Sequence, residues 1–368
     1  MISSGLVKVI EGTTELLVPE AFCKKGPGTR TGEVFYNKQM EFGRDVSVMF
    51  GRAVFKDGDK ILDGLAASGA RGLRLANETG VRADFVLNDR NLSAAVLMKE
   101  NASANSLDHV RVMCKDLRAL LAEEQFDYID VDPFGTPIDF VNAAVQNCRN
   151  KGTVAITATD TAPLYGTYPR TSLRRYGALS ARSPFAHETG LRILVGFLVR
   201  EAARHDRACE PLLCYHTDHY FRCYVRIVNG AARADAAIKK LGFAHFDKAS
   251  LERSVLVERS DKADAGPMWT GPLLSGELLE DMIASKDLGT SVRCEKYMTL
   301  WNEEASAPAL FYKLDELAKR TKHSPPKLQA MVAKLIESGF KASRTHFDPK
   351  GLKTDAPIGD FLQLFKEC

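Results

Sequence analysis

The sequence predicts an α/β fold with a mostly parallel sheet, on three observations. From residue 60 onward, short apolar runs alternate with helix-patterned segments, the rhythm of βαβ units. The first of these turns carries glycine at 64, 69 and 72. Each run also ends at or just before an aspartate: Asp63, Asp89, Asp116, Asp132 and Asp160. Open parallel sheets bind ligands beyond the carboxyl ends of their strands. The recurrence therefore places five carboxylates on the ligand side.

Taken in order, KILDGLA is a strand, SGARG a glycine-containing turn and LRLANETG the start of a helix. ADFVLND is a second strand, LSAAVLMKENASANS an amphipathic helix, and VRVMCKD a third strand. The helix LRALLAEEQ leads to FDYIDVDP, then DFVNAAVQNCRNKG and the strand TVAITATD. Residues 188–205 predict a long helix, and 211–228 a pair of alternating strands. The loop-rich stretch 229–276 marks a boundary. Domains of 1–232 and 233–368 follow, the second an α+β domain. Within it, 309–355 shows helix, Ser-Pro-Pro break, helix and strand, a winged-helix-like pattern with prolines at a helix start and glycine after its end. A helical packing module that binds nothing is the plainer reading of that pattern.

The 368 residues are 45% hydrophobic and 26% charged, an ordinary globular composition. No apolar run approaches the ~18 residues of a membrane span, and the N-terminus lacks a signal-peptide pattern. Eight scattered cysteines with no C-x-x-C pair point to a reducing cytoplasm. Cys214, His216, His219 and Cys223 lie in an alternating stretch that sends neighbours to opposite faces. That fits metal-ligand spacings poorly, so no metal is expected. The net charge of +3 is unevenly spread: residues 310–355 hold ten Lys/Arg and five Asp/Glu. Between Asp160 and Glu188 there is no acid, while Arg170, Arg174, Arg175 and Arg182 all occur. A polyanionic partner suits this distribution; a merely solvated basic face is the bland alternative.

The first turn is neither G-x-G-x-x-G nor a phosphate-cradling NTPase loop. Asp89, after the second strand, stands where a carboxylate accepts ribose hydroxyls. Asp116 suits an adenine amino group, with the Leu117 backbone N–H for a ring nitrogen. A nicotinamide dehydrogenase remains open, but the turn favours S-adenosylmethionine. Asp132-Pro133-Phe134-Gly135 then supplies acceptor chemistry. An exocyclic amine on an aromatic base has a delocalised lone pair. A carboxylate accepting its N–H pulls that pair toward a methyl donor. Pro133 has no N–H and a fixed φ, and Phe134 offers a stacking face. Each aspartate alone is more often a turn former.

Eight strings together carry a resemblance over nearly the whole length: VFYNKQMEFGRD (34–45), DGLAASGARGLR (63–74), LND (87–89), DVDPFGTP (130–137), TATDTAPLYGTYPR (157–170), DHYFR (218–222), GPMWTGPL (266–273) and RTHFDPKGLKTDAP (344–357). The chain resembles the tRNA (guanine-26-N2)-dimethyltransferases. The resemblance implies a class I, Rossmann-like methyltransferase domain, S-adenosylmethionine as donor, and one or two methyl transfers to N2 of guanosine 26 in tRNA. It implies Arg44, Arg71, Asp89, Asp116 and Leu117 as cofactor residues and Asp132 as the catalytic carboxylate beside Phe134. It also implies Phe35 or Tyr36 as a further aromatic wall. Arg170, Arg174 and Arg175 are candidates for phosphate contact.

Two departures stand out. Gly43 occupies a place where the family usually has asparagine, which puts loop order there in question. The region after the strand pair lacks the four cysteines of many relatives, so no zinc is expected. The chain looks like the compact archaeal type, without the long basic extension of eukaryotic relatives. The alternatives are a DNA or protein amino-methyltransferase using the same acid-Pro-aromatic device, or a non-catalytic RNA-binding protein. No DNA partner and no membrane association are expected.

Overall fold

The computed structural model describes residues 5–20 and 34–368; Cys23 lies outside them. The chain opens with an antiparallel hairpin of β1 (Leu6–Glu11) and β2 (Thr14–Pro19), then α1 (Glu41–Val54). The predicted alternation follows: β3 (Lys60–Asp63), α2 (Ala70–Glu78), β4 (Asp84–Asn88), α3 (Leu92–Ala104), β5 (Arg111–Met113), α4 (Leu117–Glu123), β6 (Phe126–Val131), α5 (Ile138–Asn147) and β7 (Cys148–Ala158). Then come α6 (Pro169–Tyr176), α7 (Ala186–Ala203) and the strands β8 (Arg207–Thr217) and β9 (Tyr220–Asn229).

Strands β3 to β7 pair in parallel, with Leu62 opposite both Val86 and Ile129. The pair β8–β9 is antiparallel. The hydrogen-bonded order is β5-β4-β3-β6-β7-β9-β8, a mostly parallel sheet. β6 reads Phe-Asp-Tyr-Ile-Asp-Val and is buried at all but one position, as expected where helices cover both faces.

The segment 229–276, expected to be loop-rich, instead holds α8 (Ala231–Ile238) and a three-stranded antiparallel sheet of β10 (Leu241–Phe246), β11 (Arg253–Leu256) and β12 (Ala265–Trp269). Small residues and glycines hid those elements, because their stability comes from pairing rather than propensity. After α9 (Gly276–Asp281) and α10 (Ser291–Glu304) come β13 (Tyr312–Lys313), α11 (Leu314–Thr321), α12 (Leu328–Glu337), β14 (Ala342–Arg344), β15 (Gly351–Thr354) and α13 (Ile358–Glu367). Leu317, Met331, Leu335, Leu352, Phe361 and Phe365 form their core.

Packing divides the chain into two compact units. One comprises residues 1–133, 139–156 and 280–298; the other comprises 134–138, 157–279 and 299–368. The division does not follow the linear boundary at 232. In the first unit, Thr290 donates to Asp45 of α1 from both its N–H (2.7 Å) and its hydroxyl. Arg52 of α1 reaches Ser285 and Asp287. The same unit buries an ion cluster. Arg74 of α2, with no exposed surface, meets Asp45 at 2.7 Å and Glu78 at 2.8 Å. Glu78 accepts from the Thr14 hydroxyl of β2 at 2.7 Å. Asn101 of α3 and Asn105, which caps its C-terminus, each exchange two hydrogen bonds with the β2 backbone, at Leu17 and Glu15. Side-chain pairing of this kind has no periodicity to betray it.

Candidate active site

Four of the strand-end aspartates take up different duties in the first unit. Asp63 ends β3 almost fully buried, and its Oδ2 accepts from the Gly72 N–H at 2.9 Å. Burial, and next the Asp130 carboxylate inside β6, push its carboxyl up to about 7. Asp89 is half-buried after β4; it accepts from the Ala67 N–H at 3.0 Å and the Asn91 N–H at 2.9 Å. One acid thus pins the glycine-containing turn while its remaining lone pairs stay open to a diol. Gly64 in that turn is required by close approach. A Cβ there would lie 2.9 Å from the Asp130 carbonyl oxygen and 2.8 Å from the Leu117 side chain.

Asp116 caps α4 by accepting from the Arg118 N–H at 2.9 Å, and the Arg118 side chain grips both of its oxygens. Those hydrogen bonds hold its carboxyl down to about 2. A base amino group at Asp116 must therefore share the carboxylate with Arg118. Leu117, buried, is the first residue of α4, where backbone N–H groups lack intrahelical acceptors.

Asp132 follows β6 with its side chain 22% exposed. Arg71, at the start of α2 and buried, donates from Nη2 to Asp132 Oδ2 and from Nη1 to the Ser47 hydroxyl at 2.6 Å. Its Nη1 also donates to the Gly43 carbonyl at 3.3 Å, and its Nε lies 3.7 Å from Asp130. The resemblance implies Arg71 as a cofactor residue; here its guanidinium pairs with the Asp132 carboxylate. Gly43 and Ser47 lie within α1 rather than in a loop, and the Ser47 hydroxyl donates to the Gly43 carbonyl at 2.9 Å. Ser47 and Asp130 carried no readable signal, since neither belongs to a ligand-binding pattern.

Arg44 and Tyr36 turn inward. Arg44 donates to Glu11 from Nε at 2.6 Å and also from Nη2, and to the Asn37 carbonyl at 3.0 Å. Tyr36 donates its hydroxyl to Glu11, and only 2% of its surface is exposed. Burial, then the Glu11 carboxylate, pushes the Tyr36 hydroxyl well above its ordinary range. Tyr36 therefore packs in the core instead of offering a ring face, which leaves half-buried Phe35 as the wall candidate.

Comparison with known proteins shows the family. The family model described as N2,N2-dimethylguanosine tRNA methyltransferase matches residues 12–366. The chain belongs to this family. The tRNA (guanine(26)-N(2))-dimethyltransferase of Thermococcus kodakarensis is 38% identical over 384 residues, 98% of this chain and 99% of that protein. Its counterpart from Pyrococcus furiosus is 36% identical over 390 residues, 99% of this chain and 100% of that protein. A solved structure of Trm1 from Pyrococcus horikoshii with S-adenosyl-L-methionine matches at a TM-score of 0.89 and 33% identity, covering 98% of this chain and 100% of that one.

The remaining candidate residues lie in the second unit, apart from buried Pro133 at the end of the first. Phe134 is 52% exposed. The turn after it is anchored by the Thr159 and Asp160 N–H groups, which donate to the Gly135 carbonyl at 2.9 and 3.1 Å. The expected basic loop at 170–182 includes a helix: Pro169 opens α6, and Gly177, with φ of +56°, ends it. Arg170 and Arg174 are exposed on α6, beside exposed Tyr168 and Leu173. Arg175 instead pairs with Asp160. Cys214 and Cys223 face each other across β8 and β9 as buried free thiols. Among the described residues, no helix is long and apolar enough to cross a membrane.

Proposed function

We propose that this family member transfers one or two methyl groups from S-adenosylmethionine to the exocyclic N2 of guanosine 26 in tRNA, in the cytoplasm. The observation that carries the reading is Asp132, a partly exposed carboxylate at the carboxyl end of a parallel strand, followed by Pro133 and exposed Phe134. When bound, the donor supplies an electrophilic methyl on a sulfonium sulfur. Asp89 and the Leu117 N–H at the start of α4 fit its nucleoside, because a half-buried carboxylate and a helix-initial N–H without an intrahelical acceptor stand at the ends of adjacent strands. On the acceptor side, Asp132 accepts the N2–H. The nitrogen lone pair forms the new N–C bond as the S–C bond breaks, and the carboxylate takes the proton the nitrogen sheds. Phe134 stacks a base drawn out of the RNA, which costs a few kcal/mol of unstacking. Exposed Arg170 and Arg174 meet phosphates in this reading, and the basic residues of 309–355 add to that hold.

The test is mass-spectrometric mapping of nucleosides in tRNA treated with the protein, alongside Asp132→Ala. The expected outcome is N2-methylated guanosine at position 26, lost in the variant, with donor affinity kept within a few-fold by calorimetry. Methylation confined to DNA or protein, or donor binding lost together with Asp132, defeats the reading.

A further inference from the structure

The two oxygens of Asp132 are treated differently. Oδ2 is held by Arg71 Nη2. Among the described residues, no donor reaches Oδ1. A carboxylate anchored by one oxygen keeps its plane fixed and presents the other in a set direction. The direction depends on what fixes the anchor. Arg71 is a long side chain with rotamer freedom to lose, and its guanidinium faces more than one acid, with Asp130 3.7 Å from Nε. What selects the pose on Asp132 is the far end of the fork: Nη1 donates to Ser47 at 2.6 Å and to the Gly43 carbonyl at 3.3 Å. Of these two acceptors, the Ser47 hydroxyl is much the closer. Its own proton goes to the Gly43 carbonyl at 2.9 Å, so its lone pairs face the arginine. Ser47 is itself 1% exposed, within the buried stretch of α1.

We propose that Ser47 is a positioning residue for methyl transfer: it aims Arg71 at one oxygen of Asp132, leaving the other oxygen directed at the acceptor amine. Ser47 touches neither substrate nor donor and acts through Arg71. The proposal rests on Asp132 being the acceptor-side carboxylate. It adds that Arg71 serves the acceptor as well as any donor. Positional errors of about 1 Å at such a carboxylate cost on the order of a hundredfold in rate, so partial loosening of Arg71 predicts a smaller loss.

The experiment compares Ser47→Ala, Ser47→Cys and Ser47→Thr with wild type, using tRNA, saturating donor, calorimetric donor binding and thermal melting. Ser47→Ala is expected to lower kcat about tenfold while the tRNA KM and donor Kd move less than about threefold. Ser47→Cys keeps the side-chain volume with a weaker acceptor, guarding against a folding defect, and should lose about threefold. Ser47→Thr keeps the hydroxyl and should restore kcat to within about twofold. In an Asp132→Asn background, Ser47→Ala should cost nothing further, because the two act as one unit. Unchanged kcat in both Ala and Cys variants overturns the proposal. So does an equal loss in the Thr variant, or a full additional loss in the Asp132→Asn background. If wild-type protein leaves guanosine 26 unmodified, the functional reading fails instead, whatever the Ser47 variants do.

Discussion

Asp63 carries its carboxyl into the interior, where burial and the Asp130 carboxylate raise it to about 7 from an ordinary 3.8. Between those two values the folded protein keeps a proton that the unfolded chain releases. This contribution to stability is therefore present below about 4 and lost as pH rises through about 7. Asp63→Asn keeps an acceptor for the Gly72 N–H and removes the charge. Its melting temperature should exceed wild type by about 3–6 °C at pH 8 and converge with it near pH 4. A gap that is the same at both pH values would show that Asp63 is ionised throughout. At this scale Asp63, Asp89 and Asp132 were legible, because an acid after an apolar run is a local signal. The inward turn of Tyr36 and Arg44 was not. Their common partner, Glu11, lies 25 and 33 residues away, and local pattern cannot see such pairing.

Helix α6 shows why element boundaries escaped a reading by charge. Four arginines without a neighbouring acid look like an irregular basic loop, yet Pro169 and Gly177 bracket a two-turn helix. Of its last residues, Arg175 stays exposed and pairs with Asp160, while buried Tyr176 brings its hydroxyl to Thr136 at 3.1 Å. Asp160 also donates its N–H to Gly135, next to Phe134. The helix is thus tied to the turn that carries Phe134, and its exposed part offers Arg170 and Arg174 to solvent. Replacing both with alanine should raise the tRNA KM several-fold and lower the slope of log affinity against log salt by about 1–2. Donor affinity should not change. A salt slope equal to wild type would mark both as ordinary surface arginines.

At the scale of the whole molecule, the two units hold their charges differently, and acid should separate them. The second unit buries a chain of polar groups. The Tyr165 hydroxyl lies 2.7 Å from His216 Nε2, and His187 stacks on His216 at 4.5 Å. His346 pairs with Glu304 at 2.6 Å, and Lys353 bridges Glu304 and Glu188 at 2.9 and 2.8 Å. Burial, then His187 and His346, depress the His216 imidazole to about 3; burial, then Lys313, lowers His187. Burial alone would raise Glu304, but His346 and Lys353 outweigh it and hold it low. The unfolded chain therefore binds more protons below about 6.5, and stability falls with pH from there by about 1.4 kcal/mol per unit for each extra proton. Hydrogen exchange between pH 7 and 4.5 should show protection lost first in 157–279 and 299–368, and His216→Gln should flatten that dependence. Simultaneous loss in both units would contradict it. The sequence by itself determined the α/β alternation, the ligand-side aspartates and the Asp-Pro-Phe-Gly turn, because period and turn chemistry are local properties of the chain. Only the tertiary structure decided which charges are buried and paired: Arg71 with Asp132 and Ser47, Arg44 with Glu11, Lys353 with Glu188. The free energy of a buried charge depends on partners brought close by folding, whatever their separation along the chain.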